Sequence, residues 1–198
     1  YITDVACYWI KECDIDGWRL DVGDEISHFF WKNFRKAIKA VKKDMLIIGE
    51  IWHYAGDFLE GDEWDTVMNY PFYLNLIDLL ADEKIQVSQF VQNFGYLKGR
   101  LNKNCYPLLW NLIDSHDTAR FLHLCNDNKK KQHLAAAFQL LLPGMPMIYY
   151  GDEFAMRGAN DPDCRRGMYW DEEYQDKEMF EWYKQLLKVR KNHACIVE

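Results

Sequence analysis

No long apolar run, no glycine-rich phosphate loop and no paired cysteine spacing occurs in these 198 residues, and each absence removes a class of function. A membrane-crossing helix takes about 18 or more consecutive apolar residues; none is found, nor is a signal-peptide pattern, so no membrane partner is expected. The six cysteines, Cys7, Cys13, Cys105, Cys125, Cys164 and Cys195, show no C-x-x-C pair and mostly lie in apolar runs. Buried thiols in a reducing compartment are therefore expected, rather than a structural zinc or a disulfide framework. Phosphoryl transfer lacks its anion cradle, and neither a G-x-S-x-G elbow nor a cysteine with a convincing histidine partner is seen. The one basic run, "NKKKQHL", is short enough to be a solvated helix start, and the net charge of −7 is spread along the chain, so nucleic acid is not an expected partner.

What the chain has in quantity is apolar and aromatic mass. Hydrophobic residues make up 49% and aromatic residues 16%, enough for one large core with rings left over to stack on flat ligands. Short β-rich runs, "GWRLDV", "MLIIGEIW", "DTVMNY", "LLWNLID" and "MPMIYYG", alternate with longer amphipathic ones. Trp31, Phe34, Ala37, Ile38 and Val41 recur at helical spacing, as do Phe90, Phe94, Leu97 and Leu101. Later sets begin at Leu134 and Phe180, and a further helix stands in front. Repeated βα units with apolar strands predict an α/β fold with a parallel sheet, either doubly wound or a (β/α)-barrel. A whole barrel takes roughly 250 residues, so the strand candidates amount to part of one.

The carboxylates concentrate at strand ends. "DIDGWRLDVGDE" fits a calcium loop at its first, third and twelfth positions, Asp14, Asp16 and Glu25, but places Trp18 and Arg19 where a liganding oxygen and a glycine belong. No metal site is expected there. Read as a strand, the same stretch puts Arg19 and Asp21 on one face, where a guanidinium would keep Asp21 ionised. Glu50 ends the apolar run "MLIIGEIW" in the surroundings a general acid requires, with Trp52 on its face as a stacking plane. In "NLIDSHDTAR", spacing leaves open whether Asp114 or Asp117 faces a cleft, and His116 is a hydrogen-bond donor to substrate rather than a metal ligand. The polar loop "RGANDPDCRRGMYWDEE" is long for a structural connection and favours binding. Carboxylates from three strand ends, rimmed by Trp and Tyr, are what glycoside hydrolysis needs: one acid for the leaving oxygen and a second carboxylate at the anomeric carbon.

These motifs resemble the α-amylase family, glycoside hydrolase family 13, and within it the neopullulanase, cyclomaltodextrinase and maltogenic amylase group. "DGWRLDV" is similar to the family's nucleophile strand, "GEIWH" to its acid/base strand and "SHDTAR" to its third carboxylate segment. The resemblance implies Asp21 as nucleophile, Glu50 as general acid/base and Asp117 as transition-state stabiliser, with Arg19 and His116 holding the nucleophile and sugar hydroxyls. Glu25, Trp52 and His53 fit the subgroup, although its usual Val-Ala-Asn-Glu reads "VGDE" here. Asp161 and Arg165 match positions that contact a minus-side glucose.

The implied enzyme is a retaining α-glycosidase that cuts α-1,4 and some α-1,6 glucosidic bonds of cyclodextrins, pullulan, starch or maltodextrins. An α-glucosidase or sucrose-active member of the family is the alternative, and a catalytically silent amylase-like subunit is the alternative of another class. The resemblance further implies a partial TIM (β/α)8 barrel, strands four to eight with their helices. Residues 1–198 would be the C-terminal portion of the catalytic domain, without the N-terminal part of the barrel or the accessory domains. No cofactor is required in this segment, calcium ligands belonging to the missing half, and the location is cytoplasmic. Open sheet edges on a half-barrel predict pairing with a second copy, checked by sedimentation, and weak or no hydrolysis by the piece alone.

Overall fold

The computed structural model describes residues 1–193, so Cys195 lies outside the described residues. The first helix, α1 (Ile2–Cys13), buries Ala6 and Ile10 and stops where Asp14 takes a left-handed conformation, φ 47°. Strand β1 (Gly17–Leu20) follows, then α2 (His28–Val41), whose N-cap Ser27 accepts the Phe30 amide and whose buried face is Trp31, Phe34 and Ile38. Strand β2 (Leu46–Gly49) pairs parallel with β1 from Gly17↔Leu46 to Leu20↔Gly49, and β3 (Thr66–Val67) pairs parallel on its other side. Helix α3 (Tyr70–Leu76) runs into a π-helical turn, Ile77–Ala81, and is followed by α4 (Val87–Arg100). Strand β4 (Trp110–Asn111), the short α5 (Phe121–Leu124), α6 (Lys129–Leu141), β5 (Met145–Pro146) and α7 (Lys177–Asn192) complete the order.

Among the described residues every strand pairing is parallel, β4 with β5 included, and a single bridge, Met68↔Trp110, joins the two ladders. The α/β expectation holds, and each strand candidate supplies a strand, though a shorter one than its apolar run. "GWRLDV" yields only Gly17–Leu20 because Val22 turns the chain at φ 44°, a conformation a β-branched residue rarely adopts. Helix α3 was not legible from periodicity, since its seven residues are aromatic on several sides. Its start signals were present all the same: Asn69 caps the Phe72 amide and Pro71 stands in the first turn. "NKKKQHL" opens α6 under an Asn128 cap, as a solvated helix start should.

The core lies between the strands and their helices. Trp31, Phe34, Ile38, Ile47 and Trp64 form its largest cluster, and Ala136, Leu140, Met179, Tyr183 and Leu186 seal α6 against α7. Among the described residues β1 pairs only with β2 and β5 only with β4, so both outer strands present free edges. A cavity of about 320 Å³ opens between Leu46, Trp110, Met145 and Met147. Of the five described thiols, Cys125 and Cys164 are buried, Cys7 and Cys105 are half-buried, and Cys13 is exposed at the end of α1, which corrects the expectation of uniform burial.

Candidate active site

Three chain segments meet at the carboxyl ends of the strands. Asp21 follows β1 directly, and the left-handed Val22 costs on the order of 1–3 kcal/mol but aims its N–H at Glu50 Oε2, 3.0 Å away. Gly23 N–H then donates to the Glu50 carbonyl at 3.2 Å. Glu50, first residue after β2, is 3% exposed. The Arg19 guanidinium lies among all three predicted catalytic carboxylates. Its Nη1 donates to Asp21 Oδ1, and its Nη2 is 2.7 Å from Glu50 Oε1 and 3.9 Å from Asp117 Oδ2. The Glu50 contact is an ion pair out of hydrogen-bond alignment, which leaves Glu50 held chiefly by the Val22 amide.

The choice left open by spacing in "DSHDTAR" is decided by the turn. Asp114 points into the fold and accepts the Phe121 amide at 2.7 Å, whereas Asp117 faces the cleft with its side chain 30% exposed. Ser115 holds this turn from both sides: its N–H donates to Thr118 Oγ1 at 2.9 Å and its Oγ accepts the Asp117 amide at 3.1 Å. His116 Nε2 is 3.0 Å from Asp117 Oδ2, Arg165 Nη2 donates to Asp117 Oδ1 at 3.1 Å, and Arg165 Nε is 2.7 Å from Asp161 Oδ1. The long polar loop is thereby tied to the third carboxylate.

On the opposite rim, Trp52 lies flat on Tyr70, ring centroids 4.0 Å apart at 14°, with its other face open. Tyr70 is fixed through its hydroxyl to Ser115 Oγ, 3.1 Å, and burial above all raises its pKa to about 12, so the phenol stays neutral. His53 Nε2 is 3.0 Å from Asp24 Oδ2. Glu25, the predicted substrate contact, is exposed at the end of the Gly23–Glu25 turn, and the acid that reaches His53 is its neighbour Asp24. Tyr70 and Ser115 were missed as site residues; Tyr70 lies inside a run read as a strand, and a lone serine carries no spacing signal.

Buried Trp64 packs directly against Gly23 and Gly49. A Cβ on Gly49 would stand 2.2 Å from Trp64 Cε3 and one on Gly23 would stand 2.7 Å from Trp64 Cζ2, while Trp31 Nε1 donates to the Gly23 carbonyl at 2.8 Å. The Gly49→Ala variant is expected to lose about 1–3 kcal/mol of stability through overpacking and to shift Glu50, read by thermal unfolding together with turnover.

A buried charge network behind Asp117 also escaped the sequence reading. Arg120 is wholly buried between Tyr149 and Tyr150, its guanidinium carbon 3.9 and 4.7 Å from their ring centroids, and its Nη1 is 3.2 Å from Asp152 Oδ1. Its Nε donates to the Cys164 carbonyl at 3.1 Å, so Arg120 joins the Asp117 turn to the loop that carries Arg165. Two buried carboxyls share this one cation. Burial, then the Asp114 charge, pushes Asp152 well above the usual carboxylate range, and burial raises Asp114 too. Asp114 Oδ1 and Asp152 Oδ2 are the oxygens without another donor, and one proton held between them satisfies both. A carboxyl raised in the folded state stabilises below its unfolded value, near 3.8, and that stabilisation is lost as pH rises through the folded value. Stability should therefore fall with rising pH above about 4 by up to roughly 1.4 kcal/mol per unit for the one proton, and Asp152→Asn should flatten the slope in denaturant titrations across pH.

Among the described residues no three His, Cys, Asp or Glu side chains cluster closely enough to hold a metal ion, and no helix is long and apolar enough to cross a membrane. A family profile described as "Alpha amylase, catalytic domain" matches residues 1–175. The chain is 48% identical over 193 residues to a cyclomaltodextrinase of Thermoanaerobacter pseudethanolicus, covering 98% of this chain and 34% of that protein. It is 45% identical over 196 residues to neopullulanase 2 of Thermoactinomyces vulgaris, covering 99% and 33%. A solved structure of a cyclomaltodextrinase superposes with a TM-score of 0.97 at 42% identity, over 100% of this chain and 34% of that one. The chain thus spans about a third of the length of the relatives it matches. With matching motifs, matching fold and a profile that covers most of its length, the chain belongs to the alpha-amylase family.

Proposed function

We propose that the protein is a retaining α-glycosidase cutting α-1,4 glucosidic bonds, and some α-1,6, in cyclodextrins, pullulan, starch or maltodextrins. Asp21 attacks the anomeric carbon as the glycosidic C–O bond breaks, and Glu50 gives its proton to the departing oxygen. Glu50, now a carboxylate, takes a proton from water or from an acceptor hydroxyl. The oxygen so activated attacks the same carbon and releases Asp21. Asp117, braced by His116 and Arg165, stabilises the positive charge that develops on the ring, while Trp52 offers its open face to a glucose unit. The observation that carries this reading is the Arg19 guanidinium, whose nitrogens lie beside Asp21 and Glu50 and 3.9 Å from Asp117, so that the three acids surround one point.

In this reading residues 1–198 supply strands four to eight of a (β/α)8 catalytic domain. The remaining strands cover the apolar cavity beside Met145, and the isolated segment turns over little or no substrate. No group in this segment is assigned a cofactor, and the half-buried and buried thiols suit a cytoplasmic location. The test is turnover of β-cyclodextrin, pullulan and starch by the full-length enzyme. Preference for cyclodextrin or pullulan over starch supports the reading, and inactivity on all three overturns it in favour of a silent or sucrose-directed relative.

A further inference from the structure

Trp52 shows its free face to a second hollow. A cavity of about 380 Å³ runs from Trp52 down the outside of the fold, between the segment after β2 and helices α3 and α4, with Tyr54, Asn75, Asn93, Tyr96 and Arg100 along it. Side-chain contacts tie its walls together. Arg100 is braced between two rings, its guanidinium carbon 4.0 Å from the Tyr54 centroid and 5.4 Å from that of Tyr96. Arg100 Nη1 donates to Tyr96 Oη at 3.2 Å, and Tyr54 Oη donates to the Arg100 carbonyl at 2.9 Å. Asn75 Nδ2 donates to the Phe90 carbonyl at 3.1 Å, and Asn93 Nδ2 donates to Asn75 Oδ1 at 2.8 Å. Gln89 Nε2 donates to Asn93 Oδ1 at 2.9 Å, so both amides are fixed in orientation, and each Nδ2 retains its second N–H.

We infer that this groove is a saccharide site outside the cleft, taking glucose units of an α-glucan chain beyond those held at Glu50; the inference rests on the α-glucan reading above. Pyranose rings present flat C–H faces and pairs of vicinal hydroxyls. Exposed aromatic rings alternating with pre-oriented planar amides and a braced guanidinium match both. Position points the same way, because Trp52 lines this groove and stands two residues after Glu50. A chain lying on Trp52 therefore reaches the groove without crossing solvent, and the site extends the number of glucose units the enzyme can grip.

The experiment uses the full-length enzyme with maltotriose, too short to fill both hollows, and maltoheptaose. The variants are Tyr96→Ala, at a side chain exposed enough to spare the fold, and Tyr96→Phe, which keeps the ring. Tyr96→Ala should raise KM for maltoheptaose roughly three- to ten-fold with kcat unchanged, leave maltotriose kinetics as they are, and be rescued by Tyr96→Phe. Equal kinetics of Tyr96→Ala and wild type at both lengths overturn the groove and leave the hydrolase reading standing, as does a change in oligomeric state without a change in length dependence. Turnover of neither sugar by the wild type overturns both.

Discussion

Glu50→Gln should abolish turnover of unactivated glucans, with kcat falling about 10²- to 10⁴-fold, or about 3–5 kcal/mol of transition-state stabilisation. Glutamine keeps the shape of the side chain and can still accept the Val22 amide, so the fold is expected to survive and unfolding should be near that of the wild type. What disappears is the proton. A glucan leaving group departs as an alkoxide unless protonated, whereas an aryl glucoside with an acidic phenol does not need the help. The loss should accordingly be far smaller for the first step on activated aryl glucosides, and the glycosyl-enzyme should accumulate because its breakdown also requires Glu50 as base. Equal losses on both substrate classes, with no burst of phenol, would assign Glu50 a role other than proton transfer.

Arg120→Met should destabilise the enzyme by about 3–5 kcal/mol, lowering the midpoint of thermal unfolding by on the order of 10 °C. Methionine fills much of the slot between Tyr149 and Tyr150 but leaves Asp152 without its cation, the Tyr150 carbonyl without its donor and the Cys164 carbonyl with only the Tyr149 hydroxyl, 3.4 Å away. The damage should reach the site as well, because the Arg120 amide is bound to the Gly158 carbonyl at 2.9 Å and Cys164 precedes Arg165, the partner of Asp117. Adding Asp152→Leu should recover part of the stability, since removal of a whole buried pair costs less than orphaning one member. A single-variant loss below about 1 kcal/mol would mean that water enters and solvates the site.

Much of this was legible beforehand, and the legible part shares a physical cause. Strand ends after apolar runs announce themselves because a carboxylate at the end of "LIIG" or "GWRL" has nowhere to go but the carboxyl face of the sheet. Asp21, Glu50 and Arg19 could thus be placed in one cleft from spacing and alternation alone, whereas His116 and Asp117 needed their motif. The ambiguity between Asp114 and Asp117 could not be lifted by periodicity, since the segment after β4 is a turn whose direction is set by Ser115 and Thr118 hydrogen bonds. Asp24 is a contact that the motif did not mark. The motif marked Glu25, which stands exposed at the end of the Gly23–Glu25 turn, and the same turn brings Asp24 to His53. The Asp114–Arg120–Asp152 network was invisible because Asp152 lies 32 residues beyond Arg120 in sequence and meets the other two only through tertiary packing.

A covalent bond between Asp21 and the sugar is the central step of the proposed reaction. Full-length Glu50→Gln enzyme, incubated with an activated 5-fluoro-α-glucosyl fluoride, digested and examined by mass spectrometry, should show one added fluoroglucosyl group on the peptide that contains "LDVGDE", with fragment ions placing it on Asp21. The label should be absent in Asp21→Asn. An unlabelled enzyme that still releases fluoride, or a label carried by Asp24, Glu25 or Asp117, would contradict the assignment of the nucleophile and with it the retaining reaction.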